Sequence, residues 1–233
     1  MGYSEWNDAC VEISKINHIT ELILFFIFIP FVLAIFLPPN ALYPVLSMSA
    51  FTGVILLYFT KGFFWRSLTG SIKIKPIIIL GVITFIFASL ICWIILPERF
   101  WFIIINAPYV MFAIAILYPI FLVIPQELIY RALFFERYGY LFSSQRQAIF
   151  INALLFSFGH LMYWHIVVWF MTFIGSFIFA YVYLRPNGFM QTIALHSIAG
   201  IAIFASGLGW LFYSGAILSS KDNSSSYFQS SVS

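Results

Sequence analysis

Residues 101–138 read WFIIINAPYVMFAIAILYPIFLVIPQELIYRALFFERY. A helix that crosses a bilayer needs about 20 mostly apolar residues, and this run is far longer. Pro108, Pro119 and Pro125 interrupt it, so we expect a helix that starts late or kinks rather than one straight span. Part of 101–108 is predicted to lie along the membrane interface. The stretch therefore predicts a membrane protein built from helices.

Composition supports that class. Hydrophobic residues make up 63% of the 233 residues and charged residues only 8%, against about 25% charged in soluble domains. This excludes a soluble domain with a large core, and it gives no reason to expect a nucleic-acid partner. We predict an all-α fold, a polytopic transmembrane helix bundle of about seven spans. The predicted spans are 19–37, 41–60, 76–96, 101–138, 147–164, 166–184 and 189–206.

Basic residues predict the orientation of the bundle. Seven spans place nine of the eleven basic residues on one side of the membrane: Lys15, Lys61, Arg66, Lys73, Lys75, Arg131, Arg137, Arg146 and Arg185. Only Arg99 and Lys221 fall on the other side. Because loops rich in Lys and Arg stay in the cytoplasm, we expect a cytoplasmic N-terminus and a C-terminus outside. The first span is expected to act as an uncleaved anchor.

One acidic residue, Glu127, lies deep inside a long apolar run, and later runs carry His160 and His196. Ionisable side chains are costly in hydrocarbon and persist there mostly for function. Glu127 and Arg131 are four apart on a predicted helix and share a face. A carboxylate and two imidazoles from three helices predict one polar pocket suited to general acid–base chemistry, in which a base activates water within the membrane.

Three short motifs carry a resemblance to a known family. Gln126-Glu127-Leu128-Ile129-Tyr130-Arg131 is similar to the Glu-Glu-x-x-x-Arg motif of the CPBP (type II CAAX prenyl endopeptidase, or Abi) intramembrane proteases. Phe156-Ser157-Phe158-Gly159-His160 matches the family's Phe-x-x-x-His motif. His196-Ser197-Ile198-Ala199-Gly200 resembles its His-x-x-x-Asn/Asp motif. The resemblance covers about residues 105–205.

The resemblance implies a glutamate-dependent endopeptidase without a cofactor. It implies that Glu127, His160, His196, Arg131 and Gln126 form the catalytic site and activate water. The implied substrate is a membrane protein or lipidated peptide cut near its C-terminus, in CAAX-like processing, protein sorting or bacteriocin maturation. The implied location is a bacterial inner membrane. The expected organisation is a polar segment 1–18, three spans over 19–100, a CPBP-like catalytic bundle over 101–218 and a disordered tail over 219–233.

Two positions depart from the family pattern. Gln126 stands where the first glutamate is expected, and Gly200 stands where the Asn or Asp is expected. An amide cannot act as a base, and adjacent helical residues point about 100° apart, so Glu127 does not simply occupy the direction of Gln126. Either Glu127 is the working base with Gln126 as its hydrogen-bonding partner, or Glu127 neutralises Arg131 and the chain is an inactive pseudoprotease, a peptide-binding or an immunity protein.

Other hypotheses remain open at this stage. Glu127 and Arg131 can form a purely structural ion pair, and each histidine can be an interhelical donor. Glu127, His160 and His196 offer a low-probability zinc site, although no His-Glu-x-x-His helix is present. A proton-coupled transporter would use a similar Glu and His pair, but no inverted repeat is visible. Asn152, two turns before His160, is a candidate to replace the missing amide.

Overall fold

The computed structural model describes residues 15–216, and every regular element in that range is helical. The main helices are α1 (Lys15–Phe36), α2 (Leu42–Tyr58), α3 (Ile74–Ile95), α4 (Phe102–Asn106), α5 (Pro108–Leu141), α6 (Gln145–Phe158), α7 (Ile166–Tyr183) and α8 (Gly188–Ser206), followed by the 3₁₀ segment Leu208–Ala216. The predicted all-α fold is confirmed. The predicted tail 219–233 and most of the predicted polar segment 1–18 lie outside the described residues.

Five of these helices are long and apolar enough to cross a bilayer: α1, α3, α5, α7 and α8. Helix α2 has 17 residues and α6 has 14, so each falls short of a full crossing by length alone. Both occupy places where the sequence predicts spans. The helical bundle is therefore confirmed, whereas the count of seven spans stays a prediction.

Helix α5 is irregular where the prolines predict it. Pro108 occupies its first turn, where the missing N–H has no helical partner to lose. Two π-helical stretches, Pro119–Val123 and Leu128–Tyr138, flank the short α-helical turn Ile124–Glu127. Wide π-turns are often found at functional sites, where they re-aim side chains. Here they flank the turn that carries Gln126 and Glu127.

Aromatic side chains fix α1 against α5. The ring of Phe26 meets the rings of Tyr130, Phe134 and Tyr138 edge-on, with centroids 5.2, 5.5 and 6.0 Å apart. Edge-to-face pairs stabilise by about 0.5–1.5 kcal/mol beyond the burial of their area. These contacts hold the π-helical part of α5 in place within the bundle.

The outer surface is apolar. Large hydrophobic side chains are exposed along the outward faces of the long helices; on α3 they include Ile78, Ile79, Ile83, Ile86 and Phe87. A soluble protein rarely exposes such continuous apolar surface, whereas a lipid-facing helix requires it. Together with the apolar helices, this surface makes the chain an integral membrane protein.

Helix α8 lies at the centre of the bundle, and half of the residues in its most apolar stretch are buried. It packs against α3, α5 and α7. Helix α6 begins with Ser144, whose hydroxyl accepts a hydrogen bond from the Gln147 N–H at 3.2 Å, and it runs along α7. This arrangement brings the middle of α5, the end of α6 and the middle of α8 together.

Candidate active site

Glu127 and Arg131 form an enclosed ion pair. Arg131 Nε lies 3.2 Å from Glu127 Oε2, and both side chains are fully buried. The N–H is not directed at the oxygen, so the contact is electrostatic rather than a well-formed hydrogen bond. The pair shares one face of α5, as the spacing predicts.

Other groups set the orientation of Arg131. Its Nη1 donates to Asn152 Oδ1 at 2.6 Å, and its Nη2 donates to Ser176 Oγ at 3.1 Å. The guanidinium also lies 5.0 Å from the centre of the Phe156 ring. Asn152 Nδ2 in turn donates to the Tyr130 carbonyl at 2.6 Å. Both ends of the Asn152 amide are thus engaged in holding α5 against α6.

The second oxygen of Glu127 holds His196. Glu127 Oε1 lies 2.7 Å from His196 Nδ1. Since a carboxylate only accepts, Nδ1 carries the proton in this contact, and Nε2 is the ring nitrogen left free. The ring is also stacked on Phe179, with centroids 4.9 Å apart and planes inclined by 22°. The imidazole is therefore fixed in both tautomer and direction.

His160 is fixed in a similar way by the backbone. Its Nδ1 lies 2.8 Å from the Phe156 carbonyl oxygen, which can only accept a hydrogen bond. Nε2 is again the free nitrogen. The Phe156 ring lies between the two imidazoles, 4.7 Å from the centroid of His160 and 5.6 Å from that of His196. The Phe-x-x-x-His spacing thus supplies both the carbonyl and the ring that position His160.

Three cavities adjoin His160, and the smallest, of about 50 Å³, is lined by Gln126 as well. The other two are larger. One, of about 390 Å³, is mostly apolar and is lined by both His160 and His196. The other, of about 260 Å³, is lined by His160 and Gln126. Tyr118 and Gly200 line both cavities. Glu127 lines neither of them, and its side chain is fully buried.

Among the residues of the described range, the sequence-predicted groups therefore fall into two sets. Glu127 and Arg131 lie behind the cavity wall. His160, His196 and Gln126 lie on it. Both imidazoles line one cavity, and a ring nitrogen Nε2 that carries no proton can accept one from a bound water. The carboxylate behind His196 can stabilise the imidazolium that results.

Residues 107–202 match the family model of Rce1-like type II CAAX prenyl endopeptidases. Over this stretch the chain is similar to an Rce1-like domain. The domain begins just before α5 and ends within α8, so it contains every site residue named above. No curated protein and no solved structure matches the chain. The predicted resemblance to the CAAX protease family is confirmed, and the Rce1-like domain is that of a membrane-embedded protease family.

The Rce1-like domain holds two side chains that the motifs did not single out. Ser176, on α7, accepts a hydrogen bond from Arg131 Nη2. Tyr118, on α5, places its ring edge-on to His196, with centroids 6.2 Å apart. Neither residue belongs to a motif, and only the contact between helices reveals them. The one sequence signal was Gly200, which left an unexplained gap in the last motif.

A three-ligand metal site is not formed within residues 15–216. No group of three His, Cys, Asp or Glu side chains in that range lies close enough to hold a metal ion. Glu127 and His196 are in contact, but the Nδ1 of His160 donates a hydrogen bond to the Phe156 carbonyl and does not contact either of them. The expectation that the Rce1-like domain works without a cofactor remains a prediction.

Proposed function

We propose that this protein is an intramembrane endopeptidase that hydrolyses a peptide bond near the C-terminus of a membrane-associated substrate. The observation that carries the proposal is the 2.7 Å contact between Glu127 Oε1 and His196 Nδ1 at the wall of a mostly apolar, partly open cavity. A carboxylate that orients an imidazole is a recurrent device for making that imidazole a strong general base.

In the proposed reaction, His196 Nε2 takes a proton from water as the water oxygen attacks the scissile carbonyl. His160 Nε2 accepts a hydrogen bond from the other hydrogen of the same water, which orients the lone pair of the water oxygen toward the carbonyl carbon. The imidazolium of His196 then gives its proton to the leaving amine as the C–N bond breaks. Glu127 acts through His196, and Arg131 balances its charge. The earlier hypothesis, that Glu127 itself takes the proton, is thereby modified.

The test is direct cleavage. The purified protein in lipid nanodiscs should release a C-terminal fragment from at least one member of a library of membrane-anchored and lipidated peptides, as seen by mass spectrometry. A Glu127→Ala variant should release none. Failure of the wild-type protein to cut any member, together with an unchanged cellular phenotype for Glu127→Ala, would remove the proposal.

One observation favours a second function, that of a peptide-binding pseudoprotease. Gln126 is one of the α5 side chains that line the cavity beside His160, and it carries an amide where a carboxylate would serve as a base. An amide both donates and accepts hydrogen bonds, which suits the recognition of a peptide backbone. On this view the protein would hold substrates without cutting them.

Gln126→Glu separates the two functions. If His196 is the native base, the added carboxylate is expected to leave the cleavage rate unchanged or to lower it, because it adds a second buried charge near Glu127. A gain of more than about 10²-fold, the size of a general-base contribution, would show that the native site is impaired. The measurement is kcat on the same peptide, with Gln191→Glu, whose amide caps the start of α3 away from the cavity, as the control.

The distribution of charge supports an orientation for the site. The cavity beside Gln126 is lined by Asn40 and Met162, in the connections at one end of the bundle, and by Tyr43 in the first turn of α2. The basic loops lie at the opposite end, where residues 59–73 join α2 to α3. If the basic end is cytoplasmic, as in a bacterial inner membrane with its N-terminus inside, the cavity opens outward and the substrate reaches it from the outer side.

Cysteine labelling checks this orientation. In a variant with Cys10 and Cys92 changed to serine, Tyr43→Cys is expected to react with a membrane-impermeant maleimide on intact cells, since Tyr43 is 51% exposed. Ser67→Cys, in the basic loop, should react only after the cells are permeabilised. The opposite pattern would place the cavity on the cytoplasmic side.

A further inference from the structure

Tyr118 ends the first regular part of α5, just before Pro119 and the π-helical turn that follows it. Its ring stands edge-on to His196, with centroids 6.2 Å apart, and edge-on to Phe204, with centroids 5.6 Å apart. Both partners belong to α8. These two contacts hold the phenol against α8 at the level of the candidate base.

Gly200 makes this position possible. A Cβ atom built on Gly200 would lie 2.3 Å from Tyr118 Cε1 and 2.4 Å from both Cζ and the hydroxyl oxygen. Such distances are far inside van der Waals contact, so any side chain at position 200 would displace the phenol. Because Gly200 lies four residues after His196, the hydroxyl of Tyr118 occupies the space one helical turn from the imidazole.

The hydroxyl has no hydrogen-bond partner within residues 15–216, although Tyr118 lines both cavities together with His160. A phenol hydroxyl in a largely apolar site normally finds a partner. The geometry thus leaves an O–H donor facing the space in which a peptide would lie.

Peptide hydrolysis needs such a donor. Attack by water turns the carbonyl oxygen into an oxyanion, which must be stabilised by donors that are already in place. The two imidazoles present lone pairs at Nε2 and do not supply one while they are neutral. The side chains that line the cavity beside His160 and can donate are Asn40, Tyr43, Tyr118, Gln126 and Tyr163. Of these five, Tyr118 alone also lines the cavity that His196 adjoins.

We infer that Tyr118 is a catalytic residue that donates a hydrogen bond from its hydroxyl to the carbonyl oxygen of the scissile peptide bond. The inference rests on the proposed peptidase function. The phenol keeps its proton throughout, while His196 takes the proton of the attacking water and passes it to the leaving amine. The hydrogen bond strengthens as charge develops on the oxygen, so it lowers the barrier more than it tightens substrate binding.

Tyr118→Phe tests the inference, since it keeps the ring packed over Gly200 and removes only the oxygen. We expect kcat to fall by about 10²-fold, as when one oxyanion donor is lost, while KM changes by no more than about twofold. The melting temperature should not change. Tyr109→Phe is the matched control, because Tyr109 lies on the same helix, is 75% exposed and lines neither cavity, and it should keep wild-type kcat.

A double-mutant cycle adds a readout that a merely structural role would not give. Gly200→Ala should push the phenol aside and lower kcat, and the double variant Gly200→Ala/Tyr118→Phe should be no slower than the slower single variant. Wild-type kcat in Tyr118→Phe, an equal loss in Tyr109→Phe, or a loss confined to KM would overturn the role of Tyr118 and leave the peptidase proposal standing. Absence of cleavage by the wild-type protein would overturn both.

Discussion

His196→Gln is expected to lower kcat for peptide cleavage by about 10³-fold, within the range of losses seen when a general acid–base group is removed. Glutamine can keep a hydrogen bond to Glu127, so the local packing survives, but its amide cannot take a proton from water. We expect a loss because His196 lies on the cavity wall and its Nδ1 is held 2.7 Å from Glu127, which leaves Nε2 to take the proton. Substrate KM should change little.

His165→Gln is the matched control. His165 is the residue just before α7; its Nδ1 accepts a hydrogen bond from the Val167 N–H and caps that helix, and it lines neither cavity. Its substitution should leave kcat within about twofold and cost at most about 1–2 kcal/mol as a lost cap. Wild-type kcat in His196→Gln would show that another group activates the water.

Arg131→Leu is expected to be the most destabilising single change among the site residues. It would leave the fully buried Glu127 carboxylate without its positive partner. It would also remove the hydrogen bonds that the guanidinium donates to Asn152 and Ser176. Breaking a buried pair from one side costs about 3–5 kcal/mol. The free energy of unfolding in mixed detergent micelles, or the melting temperature, measures the effect.

The double variant Glu127→Gln/Arg131→Leu should be less destabilised than the sum of the two single variants, because it leaves no uncompensated charge. Arg131→Lys should be intermediate, since a lysine keeps the charge but cannot reach both Asn152 and Ser176 through a planar fork. Arg66→Leu, at an exposed loop position, is the control. A cost below about 1 kcal/mol for Arg131→Leu would mean that the pair is not essential to the fold, contrary to its burial.

The sequence predicted the fold class because apolar run length is a direct physical signal of membrane crossing. Run length works less well for α2 and α6, which are shorter than the runs that contain them. Where a helix ends inside an apolar run depends on packing against neighbours, which hydropathy does not record. The prolines predicted the irregular positions of the long run more closely, since Pro108 begins α5 and Pro119 begins a π-helical turn.

At the site, the sequence predicted which residues come together but not which of them line the cavity. The spacing of Glu127 and Arg131 predicted a shared face, and the ion pair follows from it. The contact between Glu127 and His196 joins residues 69 positions apart, so it depends on how α5 crosses α8. The fit of Tyr118 over Gly200 likewise exists only between two helices. Motif spacing therefore could not tell that Glu127 lies behind the wall and Gln126 on it.

Hydrolysis in ¹⁸O-labelled water tests the central claim most directly. Purified protein in nanodiscs, mixed with membrane-anchored peptides, should yield a fragment whose new C-terminal carboxylate carries one ¹⁸O after a single turnover. His196→Gln should lose this product, whereas His165→Gln should keep it. Peptides that remain intact with the wild-type protein, or a labelled product formed equally well by His196→Gln, would contradict a water-activating site built on Glu127, His160 and His196.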